Sequence, residues 1–150
     1  RIPFCYLLAA YNTISETNMC GHLLGGYPGR CKSPVNKHVN SEDCQNQCTS
    51  FAPCIGYSHS NRTSPEACII ITSTKTSCPY NPGAPYDYVD GTIANTVSEL
   101  IATTMMTGME GSGFICMVKS GKNTTVKDFY NEETLPHIQL GMHLSRVSSC

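Results

Sequence analysis

Apolar and polar positions along the chain sort into short runs separated by turn-rich stretches. Residues 1–11 (RIPFCYLLAAY) read as an opening strand with Cys5 inside it. Residues 12–40 are rich in Asn, Gly, Pro and Ser, and GGYPGR at 25–30 marks a turn region. A short helix is predicted over about 42–50: Ser41 is a good N-cap, and Glu42 and Asp43 complement the helix dipole in the first turn. Cys44 and Cys48 then share one face, and Pro53 follows the helix end.

CIGYSH (54–59) and ACIIIT (67–72) read as strands joined by the polar stretch SNRTSPE. Ile69–Ile71 is the strongest strand signal in the chain. Pro79, Pro82, Gly83 and Pro85 make 76–91 an irregular loop. From Thr92 to Met106, Ile93, Val97, Leu100, Ile101 and Met105 follow helical spacing, which predicts a second helix. FICMVK (114–119) is a further strand with Cys116 inside it, and the polar tail 121–150 holds one short helix near 127–133. No internal repeat or low-complexity tract occurs.

Composition changes this picture in one decisive way. Charged residues make up 14% of the chain, Trp is absent, and large aliphatic residues are sparse, so a core of ordinary size is thin at 150 residues. Ten cysteines, even in number and dispersed from Cys5 to Cys150, supply another stabiliser. With 12 Gly and 9 Pro they indicate an oxidised, loop-rich extracellular domain. Each disulfide restricts the unfolded chain by roughly 2–4 kcal/mol. Cys20 and Cys31 bracket the first turn region, which suggests a local Cys20–Cys31 bridge, and terminal Cys150 is expected to tie back to the body.

A net charge of −1 gives no basic footprint for nucleic acid and no polybasic membrane anchor. The longest apolar run, Phe4–Tyr11, is too short to span a bilayer, so membrane insertion is not expected. The start at Arg1 predicts a removed leader. Two N-glycosylation sequons, Asn61-Arg62-Thr63 and Asn123-Thr124-Thr125, fit the secretory route.

Candidate chemistry narrows to binding. A catalytic thiolate is at odds with an even cysteine count in an oxidising compartment. Cys44-x3-Cys48-x5-Cys54 lacks the knuckles of structural zinc modules, and His137 and His143 stand six apart, which suits no shared site. No G-x-S-x-G, H-E-x-x-H or P-loop motif occurs, and Asp87 and Asp90 read as turn chemistry. An enzyme is not expected, nor a metal or cofactor. Tyr57, His59 and Arg62, on or after a strand, and Tyr86, Asp87 and Tyr88, in a Pro-bounded loop, are the candidate ligand-binding residues, since Tyr offers an apolar face and a polar tip. The competing role for Tyr57 is packing against the helix that carries Cys44 and Cys48.

Cys44-x3-Cys48-x5-Cys54-Ile55-Gly56-Tyr57, followed by Cys68 leading an apolar strand, resembles the core of PAN/apple-type domains. The resemblance implies an α+β fold: an antiparallel sheet packed on a short helix, disulfide-rich, here with an extra helix and a C-terminal extension. It covers residues 1–119, with its core at 38–72, and leaves 120–150 as the extension tied back by a disulfide. It implies Cys44–Cys68 and Cys48–Cys54, with Gly56 letting the strand pass close beneath the helix. A bridge between first and last strands makes Cys5–Cys116, which leaves Cys20–Cys31 and Cys78–Cys150. It further implies a secreted, non-catalytic adhesion module whose partner is a glycan or an extracellular protein. A secreted effector, toxin-like, pheromone-like or inhibitory, acting through a receptor, is the alternative from another class. A single module gains avidity only as a homo-oligomer.

Overall fold

The computed structural model describes residues 5–34, 37–61, 67–79, 86, 92–103, 113–120, 124–127 and 142–147. Its architecture follows from the three consecutive isoleucines. Strand β5 (Cys68–Thr72) is buried at every position, which a strand tolerates only when both sheet faces are covered. Alternate residues serve different cores: Cys68 and Ile70 face one cluster, Ile69 and Ile71 two others.

The main sheet is antiparallel in the order β3 (Arg30–Lys32), β5, β4 (Cys54–His59), β7 (Ile115–Lys119), β1 (Cys5–Ser15), β8 (Thr124–Lys127), with β9 (Met142–Val147) also on β1. Residues 5–8 of β1 pair with both β8 and β9, so those strands flank it on opposite edges. The tail therefore contributes two strands to the sheet. Helix α1 (Ser41–Ser50) packs over β1, β4 and β5. A two-stranded ribbon, β2 (Met19–His22) with β6 (Leu100–Thr103), lies over β4 and β7, and its Cys20 and Leu100 cluster with Ile71 and Val118. The molecule is a small α+β fold of antiparallel sheets with one α-helix among the described residues.

Several expectations change at this level. The N-cap of α1 is Asn40, whose Oδ1 accepts from the Asp43 amide at 2.7 Å, so Ser41 is the first helical residue. The extra helix over 92–106 is not formed: Val97–Glu99 makes one 3-10 turn, and β6 then pairs with β2, while 104–106 lie outside the described residues. Thr96 and Thr103 are β-branched, and the ladder to β2 supplies backbone partners that an isolated helix would lack. Of the helix expected near 127–133, Lys127 ends β8 and the rest lies outside the described residues. Gly56 is a close approach to β7 rather than to α1: a Cβ there would stand 2.7 Å from the Met117 carbonyl oxygen.

Among the described residues four disulfides join these layers: Cys20–Cys116, Cys31–Cys78, Cys44–Cys68 and Cys48–Cys54. The last two fasten α1 to β5 and to the start of β4. Cys20–Cys31 is overturned because the two residues serve opposite faces of the sheet, Cys20 in the β2–β6 ribbon and bonded to Cys116, Cys31 in the cluster under α1 and bonded to Cys78. Cys5–Cys116 is overturned by register: Cys116 stands opposite Ser15 and Cys5 opposite Lys127, ten residues along β1, or roughly 33 Å. Cys78–Cys150 is overturned because Cys31 occupies Cys78.

Candidate functional site

The residues singled out as ligand contacts turn inward where the structure describes them. Tyr57 is 2% exposed, and its ring meets Tyr11 edge-on with centroids 5.4 Å apart. Burial pushes its phenol up to about 12, against hydrogen bonds with the Gln45 and Ser41 side chains. Tyr11 is raised further by the same cause, while its hydroxyl bonds Thr49 Oγ1 at 2.8 Å. His59 is also buried, and its Nε2 lies 2.5 Å from the Val39 carbonyl; because a carbonyl only accepts, Nε2 carries the proton.

Tyr57 and His59 are thus core residues that hold α1 and the segment before it on the sheet. Tyr86 is half-buried, shares a 3.0 Å hydrogen bond with Thr72 Oγ1, and seats its hydroxyl over Gly29 where no Cβ would fit. Arg62, Asp87 and Tyr88 lie outside the described residues, as does Asn123, whereas Asn61 is exposed.

A groove runs instead along the outer side of α1, with a volume of about 350 Å³. One wall is the stripe Asp43, Asn46, Gln47 and Ser50, successive i, i+3, i+4 and i+7 positions. The other wall is Lys37, His38 and Val39. Its shape is fixed from beneath. Cys44 and Cys48 set the rotation of the helix, Asn40 sets its start, and the His59 bond holds Val39.

Lys37, His38 and Asp43 are exposed, and neither Lys37 nor Asp43 forms an ion pair among the described residues. Ser50 Oγ donates to the Asn46 carbonyl at 2.8 Å, which leaves its oxygen free to accept. The groove therefore offers one ammonium, one carboxylate, two amides, an imidazole and a hydroxyl oxygen, with Val39 as its one apolar member. Such a set can donate and accept hydrogen bonds in several directions.

A second surface feature lies at the β2–β3 turn. Leu24 is 79% exposed and Leu23 and Ile101 are partly so, around a turn whose Gly25 and Gly26 take positive φ. Among the described residues no three His, Cys, Asp or Glu side chains gather as a metal site, and no helix is long and apolar enough to cross a membrane. No family model matches the chain, and no curated protein or solved structure matches it.

None of the groove residues stood among the sequence candidates. A signal was present: with Cys44 and Cys48 turned to the sheet, the neighbouring ridge of the helix must face outward, and it is wholly polar. The opposite wall, Lys37–Val39, carried none, because a polar loop has no periodicity to read.

Proposed function

We propose that the chain is a secreted, non-catalytic binding module, PAN/apple-like in how it ties a helix to a sheet, and that it recognises carbohydrate in the groove along α1. The observation that carries this reading is the composition of that groove. Protein hot spots are built from Trp, Tyr and Arg in desolvated pockets, and the groove lining has none of these. Six of its seven residues have side chains able to donate or accept hydrogen bonds, which suits a hydroxyl-rich ligand. Four disulfides fit extracellular placement.

The expected affinity is low. Hydrogen bonds exchanged with water contribute about 1 kcal/mol each, so four give a Kd on the order of 1 mM. Homo-oligomerisation would raise this by avidity.

A glycan array, run beside a solution mass measurement, tests the reading. Sugar binding is expected in the wild type and reduced at least about tenfold in Asn46→Ala/Gln47→Ala, two half-buried positions, with thermal unfolding of the variant followed alongside to show that the helix is kept. A blank array together with a tight protein-receptor complex overturns it in favour of an effector acting through a receptor. The exposed Leu23, Leu24 and Ile101 corner is the surface that supports this second reading.

A further inference from the structure

We infer that Asn61 is a site of N-linked glycosylation in the folded protein, with an oligosaccharide rooted at one end of the α1 groove. The sequon Asn61-Arg62-Thr63 has a non-Pro residue at its middle position and a hydroxyl at its third. The structure adds where that sequon sits. Ser60, still buried, donates its amide to the Ala67 carbonyl at 2.9 Å and closes the β4–β5 pair. Asn61 is the first residue beyond that closure and is exposed, so a bulky substituent on its side-chain amide displaces no core atom.

The four disulfides place folding in an oxidising compartment, where the modification is made. The donor class is a polyprenyl-pyrophosphate oligosaccharide. Asn61 Nδ2 bonds to the anomeric carbon, the carbon–oxygen bond to pyrophosphate breaks, and Nδ2 loses one proton. No oxidant or reductant is needed.

Position gives the glycan a consequence. His59 is bonded to the carbonyl of Val39, which lines the groove, and Asn61 stands two residues on, at most about 7 Å of chain away. The attached sugar therefore limits the length of ligand entering from that end. This consequence rests on the groove's being the ligand site; the modification does not.

The full chain, secreted from a eukaryotic host that glycosylates a co-expressed reporter, is mapped by mass spectrometry before and after peptide N-glycosidase. The peptide holding Asn61 is expected to carry an oligosaccharide. Asn61→Gln and Thr63→Ala should each lose that one unit while remaining secreted. An unmodified Asn61 peptide alongside a glycosylated reporter overturns the assignment. Removing the glycan from wild type should strengthen binding of long oligosaccharides several-fold and leave monosaccharides unchanged; equal binding of the long ones overturns the length limit alone.

Discussion

Lys119 ends β7 with its side chain 5% exposed, and its Nζ reaches the Phe51 carbonyl at the end of α1 at 3.5 Å. The helix terminus is a favourable place for a cation, but burial dominates and lowers the ammonium to about 8 from an ordinary 10.5. Between those values the unfolded chain holds the proton and the folded one has released it, so stability rises with pH across that window. From pH 7.5 to 9.5 the gain is about 2 kcal/mol. Urea unfolding at both pH values checks it: the gain should appear in the wild type and vanish in Lys119→Met. Above pH 10 the raised phenols of Tyr11 and Tyr57 act in the opposite sense, since the unfolded chain then loses their protons first. At this scale the sequence was a partial guide. Tyr57 and His59 show how strand residues next to a helix are claimed by the core, and alternation alone does not say which face of a doubly covered sheet is inside. Lys119 gave no signal at all, because its burial arises from β1 and the end of α1, which are distant in sequence.

Helix α1 is the element on which the groove depends, and its two disulfides do not contribute equally. In the chain-entropy account the 24-residue separation of Cys44–Cys68 restricts the unfolded chain by about 3.5 kcal/mol, and the 6-residue separation of Cys48–Cys54 by about 2.4. Paired Cys→Ala replacements should follow that order in their urea midpoints, with Cys44→Ala/Cys68→Ala the less stable. The reverse order would mean that the short tether to β4, not the long one to β5, docks the helix. The helix itself was legible, because acids in its first turn and cysteines four apart are local signals. Residues 92–106 misled for the complementary reason. Their apolar spacing fits a helix, but β6 is made by a partner strand some 80 residues away, which no local pattern records. The groove's helical wall follows from the cysteine face, whereas the wall at 37–39 is placed by His59 through space.

Taken whole, the molecule is a sheet closed around its first strand. The β1–β9 register sets Cys5 opposite Val147, three residues short of Cys150 in the chain, while Cys116 and Cys78 have other partners. Non-reducing peptide mapping is expected to recover Cys5 joined to Cys150, together with the four bridges of the sheet and helix. A peptide that joins Cys5 to any other cysteine would contradict that register. The outer bridges were beyond the sequence because they depend on which face and which register each strand adopts, and spacing carries neither. The position of β1 also sets a timetable. Tyr6 pairs with Arg146 and Thr13 with Met117, so β1 is made before the strands that flank it and must wait for them. β7 and β8 precede β9 in the chain, so until residues 142–147 leave the ribosome the edge of β1 that β9 covers stays unpaired. The sheet therefore closes only once residues 142–147 are available, slowly as non-local sheets do, and the early cysteines spend that interval open to wrong pairings that an isomerase must undo.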